Sequence, residues 1–296
     1  MITLANKYRP TTFEDVVGQD INTKILQNQI KTKQYSPVSL LVGNAGCGKT
    51  TCAKIFANQI NGEIIELDCA THNGVAEIKD IVDKSRTRSI LHDYKVIILD
   101  ECQCLTKESW SSLLIVLEEN IPTTIFVFCT TDPQKIPNTI FSRAQRLDFT
   151  PISNKLIFGR LKQVCEKESI DICDDSLKLI VKSANGGLRQ ALTNLDKCIM
   201  YGDLSLEAVS KVINYVTVDV LDDLYNAYVS KDLNSICKII DHCYASGYDL
   251  HSMVKVFLGY AIKQKNIELM STLLTTLQDI RYDDTPKNII IARLIT

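Results

Sequence analysis

The segment GNAGCGKT, Gly43 to Thr50, constrains the fold of this chain more than any other stretch. It fits the pattern glycine, four residues, glycine, lysine and threonine, follows the apolar run Val38 to Val42 and opens the helical stretch Thr50 to Gln59. Glycines let the backbone curl so that several N–H groups and a helix N-terminus face one anion. A strand, this loop and a helix in that order therefore predict a phosphate cradle. Lys49 would face the β and γ phosphates as a point charge, and Thr50 would offer its hydroxyl to Mg²⁺. The alternative, a glycine-rich turn before a helix, is disfavoured by the specificity of the motif.

Residues 38 to 149 alternate short apolar runs with amphipathic helical stretches. Strands are expected at Val38 to Val42, Glu63 to Leu67, Lys95 to Asp100, Thr124 to Cys129 and Gln145 to Phe149; Trp110, Leu113, Leu114 and Leu117 lie between strands at helical spacing. The alternation predicts an α/β fold, a parallel sheet with helices on both faces. After Pro151 the strand signal fades, and the rest reads as helices broken at Gly186-Gly187, near Tyr201-Gly202-Asp203, at Ser246-Gly247 and from Asp283 to Pro286. A length of 296 residues exceeds one ordinary core. Boundaries are expected near 150 and 215, giving a nucleotide-binding domain at 1–150, a helical domain at 151–214 and a second helical domain at 215–296.

The stretch YKVIILDECQ, Tyr94 to Gln103, is an apolar strand ending in two acids about fifty residues beyond the loop. Asp100 at its tip suits the magnesium water shell, since that ion takes hard oxygen ligands. Glu101 beside it is the candidate to polarise an attacking water. Alone, an Asp-Glu pair would read as a solvated strand end; downstream of a phosphate loop it reads as chemistry.

Composition bounds the remaining classes. Apolar residues make up 45% and charged residues 23%, which predicts a packed globular protein. No apolar run approaches the roughly 18 residues of a bilayer span, and the start MITLANKYRP lacks a secretory layout, so a cytoplasmic protein with no membrane partner is expected. Its eleven cysteines are then expected as reduced, buried thiols. Cys102 and Cys104 stand one residue apart with no second pair, which argues against zinc. A net charge of −2 excludes a uniformly basic nucleic-acid binder and leaves room for a local basic stripe.

Several further segments resemble the AAA+ clamp-loader ATPases, the bacterial polymerase III gamma/tau type among them. KYRPTTFEDVVGQD, Lys7 to Asp20, looks like the family's N-terminal segment over the adenine base. FCTTDPQKIPNTIFSRAQRLDF, Phe128 to Phe149, is similar to its sensor 1 and Ser-Arg-Cys region, GGLRQAL, Gly186 to Leu192, to its sensor 2, and SLEAVSKVINYV, Ser205 to Val216, to the join between lid and collar. The resemblance implies ATP with Mg²⁺. Tyr8, Arg9, Val16 and Val17 would line the adenine pocket, and Gly43, Asn44, Ala45, Gly46, Cys47, Gly48, Lys49, Thr50 and Thr51 would surround the phosphates. Thr131 would be sensor 1, with Thr130 as the alternative register and a capping threonine as the bland reading of either. Arg189 would be sensor 2, or else an exposed helix arginine. Arg143 matches the arginine finger that acts in trans in a neighbouring subunit's site, a device worth about 10³ to 10⁵ in rate for related phosphoryl transfers. Catalysis would thus rest on Lys49, Glu101, Thr131, Arg143 and Arg189.

Two departures qualify the resemblance. The family's four-cysteine zinc module is missing, because Ala57 to Glu63 passes straight through, and the cysteine after the finger is Ala144. With the chain ending at Thr296, a compact form without the long tau tail is expected. The resemblance also implies a sliding clamp, primer-template DNA and other loader subunits in a pentameric assembly as partners. DNA phosphates would meet Thr71, Lys79, Thr106, Lys135 and Thr139, while two positions that are basic in the bacterial relative read His72 and Gly74. Each of these is also an ordinary solvated surface residue. Ile90 and Leu91, between charged flanks, would touch the clamp or else pack beneath the third strand. The implied function is an ATPase that opens a ring clamp and loads it on DNA. Its alternatives are a structural subunit, whose mark would be a damaged phosphate loop, and another AAA+ motor of the branch-migration or initiator type.

Overall fold

The computed structural model describes residues 2–119, 121–214, 216, 218–246, 248–280 and 286–295. Five strands, β1 (Val38–Gly43), β2 (Gly62–Asp68), β3 (Tyr94–Asp100), β4 (Thr124–Thr130) and β5 (Gln145–Phe149), form one sheet in the order β2-β3-β4-β1-β5, with every pairing parallel. Each strand expected from the sequence is present, shifted by a residue at most. The helices of this part are α1 (Leu4–Lys7), α2 (Asp20–Thr32), α3 (Lys49–Gln59), α4 (Val75–Arg86), α5 (Lys107–Glu119), α6 (Asn138–Phe141) and α7 (Asn154–Glu168).

Both faces of the sheet are covered, which is why its strands read as continuous apolar runs. Alternate side chains go to opposite sides. Leu40, Ile97, Leu99, Phe126 and Phe128 pack with Ile78 and Val82 of α4 and Trp110 and Leu113 of α5, while Leu41, Val96, Ile98, Val127 and Leu147 pack with Leu26 of α2 and Ile55 and Phe56 of α3. Leu40, Ile97 and Phe128 are each fully buried, worth about 1.5–3 kcal/mol apiece by transfer. The one charge inside a central strand is satisfied: the Lys95 ammonium donates to the carbonyls of Lys84 and Thr87 at 2.6 and 2.7 Å, closing the end of α4.

The chain divides into two compact units, Met1–Ser169 with Ala184–Thr193, and Ile170–Ser183 with Asn194–Thr296. Helix α8 (Asp174–Ser183) belongs to the second unit, and α9 (Leu188–Tyr201) contributes its first residues to the first unit and the remainder to the second. Then follow α10 (Leu206–Val212), α11 (Val218–Val229), α12 (Leu233–Ala245), α13 (Leu250–Lys263), α14 (Ile267–Asp279) and α15 (Pro286–Ile295). The helices from α11 onward share a core of Leu221, Leu224, Ile240, Val254, Phe257, Leu273 and Ile290. Side-chain caps set their starts: Asp232 accepts from the Ser235 N–H, Asp249 from His251 and Ser252, and Asn266 from Leu269. The expected boundary near 150 lies within the first unit, whereas Tyr215 at the second expected boundary lies outside the described residues. So do Gly247 and residues 283–285, on which two of the expected helix breaks fall. Among the described residues, no helix is long and apolar enough to cross a membrane.

All eleven thiols are free, eight of them buried, Cys237 half-buried and Cys104 and Cys173 exposed. Burial penalises the thiolate and pushes Cys52 and Cys69 up to about 12, while hydrogen bonds with Ser176 hold the Cys173 thiol below its usual value. In the native protein a maleimide at neutral pH should therefore modify Cys173 first and spare Cys52, Cys69 and Cys129 until denaturant is added. Peptide mapping that finds early modification of Cys52 or Cys129 would contradict this core.

Candidate functional site

One cavity in the first unit lies at the end of the sheet where β1 and β3 finish. Its lining includes Tyr8, Arg9, Val16, Val17, the loop residues Ala45 to Thr51, Asp100, Glu101 and Arg189. The loop owes its shape to two glycines in particular. A Cβ on Gly43 would stand 2.3 Å from the Phe149 carbonyl oxygen of β5, so no other residue fits beside that strand. Gly48 precedes α3 with φ of +103°, a conformation that strains any L side chain. Helix α3 then begins at Lys49, with its N-terminal N–H groups turned toward the cavity end of the loop.

The polar groups of the site hold one another. The buried Lys49 ammonium donates to the carbonyls of Gly43 at 2.8 Å and Asn44 at 3.0 Å. Gly43 and Asn44 themselves do not line the cavity; they hold Lys49 in it. The Thr50 hydroxyl donates to Asp100 Oδ2 at 2.6 Å, joining α3 to the tip of β3, and the Glu101 N–H donates to Asp100 Oδ1 at 3.0 Å. A hydroxyl and a carboxylate in contact at the mouth of a phosphate loop are the hard oxygen donors that Mg²⁺ accepts, so the residues fit that ion. Among the described residues no group of three or more His, Cys, Asp or Glu is arranged to hold a metal ion, and Cys102 is buried where Cys104 is exposed.

Glu101 has φ of +49°, unusual for a non-glycine residue, which turns its side chain off the strand line. Its Oε2 accepts from the Thr131 hydroxyl at 3.1 Å. Thr130 is fully buried and its hydroxyl donates instead to Gln103 Oε1 at 2.7 Å. Of the two registers left open by the sequence, Thr131 is thus the one that meets Glu101, though neither threonine lines the cavity. Arg189 does line it. A Cβ on Gly46 would lie 3.3 Å from Arg189 Cβ, so the start of α9 rests on the loop, and the exposed guanidinium has no hydrogen-bond partner among the described residues.

On the other wall, the Arg9 Nε donates to the Thr51 hydroxyl at 3.3 Å, and the Tyr8 hydroxyl donates to Glu168, which also pairs with Lys7 at 2.6 Å. The hydrogen bond to Glu168 raises the Tyr8 hydroxyl, and the one from Lys7 holds the Glu168 carboxyl down. Sequence reasoning missed Ala5, Asn6, Pro10, Ile152, Leu188 and Leu192, which complete the lining. Their signal was proximity alone: all but Ile152 neighbour residues the motifs had marked.

Arg143 lies outside the cavity, bound to Glu118 at 2.8 Å and to the Thr139 carbonyl at 3.2 Å. Thr71, Lys79, Thr106, Lys135 and Thr139 are all exposed. Thr71 follows β2, Thr106 follows β3, and Lys135 and Thr139 follow β4, three adjacent parallel strands whose ends share one side of the sheet. Thr106 also caps α5, accepting from the Ser109 N–H at 3.2 Å, and Lys135 pairs with Asp132 at 3.5 Å. Ile90 and Leu91 are 97% and 83% exposed, which removes the alternative that they pack beneath β3.

Comparisons with known proteins agree with this geometry. Residues 39–152 match the model of the ATPase family associated with various cellular activities (AAA), and residues 159–200 match that of the RCF1/5-like AAA+ ATPase lid domain. The chain is 33% identical to DNA polymerase III subunit tau of Bacillus subtilis over 94% of its length and 54% of that protein's, and 35% identical to DNA polymerase III subunit gamma/tau of Mycoplasma pneumoniae over 86% and 41%. It therefore spans about half the length of these relatives or less. Among solved structures, the Thermotoga maritima RuvB Holliday junction branch migration motor superposes with a TM-score of 0.59 at 18% identity, covering 87% of this chain and 91% of that one, a likeness of fold alone. With its five-stranded parallel sheet, phosphate loop and helical lid, the chain belongs to the AAA+ ATPases and is related to the gamma/tau subunits of DNA polymerase III.

Proposed function

We propose that this AAA+ ATPase is a motor subunit of a sliding-clamp loader, binding ATP with Mg²⁺ and hydrolysing it to open a ring clamp and place it on primer-template DNA. The observation that carries the nucleotide part is the 2.6 Å bond between Thr50 and Asp100, at a cavity that also presents Lys49, Glu101 and Arg189. The loader part rests on the similarity to tau along 94% of the chain. The three-part division at 150 and 215 and the pentameric assembly are part of the same reading.

Tyr8, Arg9, Val16 and Val17 take the base, and the N–H groups of the loop together with the Lys49 ammonium take the phosphates. Mg²⁺, when bound by Thr50 and Asp100, neutralises charge on the phosphate oxygens. Glu101 accepts a proton from the attacking water as the water oxygen bonds to the γ phosphorus and the bond to the β–γ bridging oxygen breaks, leaving ADP and inorganic phosphate. Arg189 grips the γ phosphate from α9, a helix shared by both units, so nucleotide state biases the lid. Arg143 completes the site of a neighbouring subunit. The exposed positions Thr71, Lys79, Thr106, Lys135 and Thr139 meet DNA phosphates, and Ile90 with Leu91 meets the clamp.

Three experiments test this reading. Lys49→Ala removes the main cation facing the phosphates and should abolish ATP binding in a calorimetric titration; unchanged affinity would overturn the assignment of the loop. DNA binding should fall steeply with salt and show little sequence preference, and Lys79→Ala or Lys135→Ala should each flatten the salt slope by about one unit for every phosphate no longer neutralised. Strong preference for one duplex sequence would point to an initiator instead.

The third concerns catalysis between subunits. Arg143→Ala should bind ATP nearly as the parent does, while turnover in the assembly collapses. Mixing it with Lys49→Ala, which keeps an intact finger, should recover part of the activity through mixed interfaces. A normal rate in Arg143→Ala, or no recovery despite demonstrated co-assembly, would argue against the finger and weaken the loader reading.

A further inference from the structure

We propose that Gln103 is a positioning residue for hydrolysis, a single amide that fixes the Glu101 carboxylate and the Thr131 hydroxyl relative to each other. The inference rests on the reading of Glu101 as the group that takes the water's proton. Gln103 sits in the 3₁₀ turn Cys102–Cys104 directly after β3, and the fully buried Cys102 anchors that turn in the sheet core. Its Nε2 donates to Glu101 Oε2 at 2.5 Å and to the Thr131 hydroxyl oxygen at 3.0 Å, while its Oε1 accepts from the Thr130 hydroxyl at 2.7 Å. Thr130 is oriented in turn, because its oxygen accepts the Asp132 N–H at 3.0 Å.

This network leaves little freedom. Reversing the amide would set its oxygen against the carboxylate, so Glu101 dictates which end of Gln103 faces it. Both donors, Gln103 and Thr131, converge on Oε2 of Glu101; among the described residues Oε1 receives no hydrogen bond and remains the atom able to take a proton. The ends of β3 and β4 are thereby tied through one side chain. Gln103 does not line the cavity, so it acts through Glu101 and not on the nucleotide.

The test compares the full chain with Gln103→Ala, Gln103→Glu and Glu101→Gln, measuring ATP affinity by calorimetry and thermal unfolding on each purified chain, and kcat across pH in the same assembly used to test Arg143. Gln103→Ala should lower kcat about 10–100-fold, the usual loss when a group orienting an active residue is removed, with ATP affinity at the parent value. Gln103→Glu preserves the shape but places a second carboxylate against Glu101, and two like charges resist joint ionisation. The acidic limb of its kcat profile should move to higher pH, a shift that looser packing alone would not produce. A kcat for Gln103→Ala at or above the parent, an unmoved profile in Gln103→Glu, or loss of ATP binding in both variants would overturn the proposal. If Glu101→Gln itself turns over at the parent rate, the underlying reading of Glu101 fails instead.

Discussion

Strand β1 is paired on both edges, with β4 and with β5, and buried on both faces, and the cavity takes its position from where this strand ends. The register sets Val42 opposite Thr130 and Asp148, and Leu99 opposite Phe128, so the tips of β3, β4 and β1 finish at nearly one level. At that level Gly43 lies so close to the Phe149 carbonyl that no side chain fits, and β1 ends there. From there the loop and α3 deliver Thr50 to Asp100. A central strand that slipped by a residue would reverse its faces and lose both cores at once, so the site inherits its geometry from the least negotiable part of the sheet.

Lys49, Thr50 and Glu101 are each held by hydrogen bonds within the chain. Lys49 is held by two carbonyls, Thr50 by Asp100, and Glu101 by Thr131 and Gln103. Groups that stand in place before a substrate arrives cost little reorganisation when charge develops, which is how oriented dipoles and charges in a confined site become worth more than in water. Arg189 is the contrast, exposed and without a hydrogen-bond partner among the described residues.

Much of this was legible in the sequence because two periods carry it. Short β-branched runs such as Val96 to Leu99, set between helical patterns, read as strands covered on both faces, and the glycine spacing from Gly43 to Gly48 has few uses besides an anion cradle. The limits were equally physical. Whether Thr130 or Thr131 meets Glu101 depends on where β4 stops, since side chains alternate and one residue reverses the face. Nothing in the run Ser89-Ile90-Leu91-His92 tells an exposed apolar pair from a buried one. The role of Gln103 needed the two strand ends to be brought together from positions 101 and 131, and the division into two compact units needed long-range packing that no local pattern encodes.

The Tyr8 wall of the cavity is built on different terms from the wall made by the loop. The loop wall is made of backbone and of residues rooted in the sheet, whereas Tyr8 stands in a short N-terminal segment tied down by Glu168 at the end of α7 and by Arg9 on Thr51. The pairs involved are partly solvent-exposed, with Lys7 about half accessible, and exposed ion pairs contribute little stability. Geometry therefore carries more weight here than energy. Glu168 places one carboxylate between Lys7 and Tyr8, so movement of the α7 end would shift the tyrosine, and that wall of the cavity would follow the helix. Because α7 falls in the first unit along with the loop, this wall and the loop form parts of one compact body.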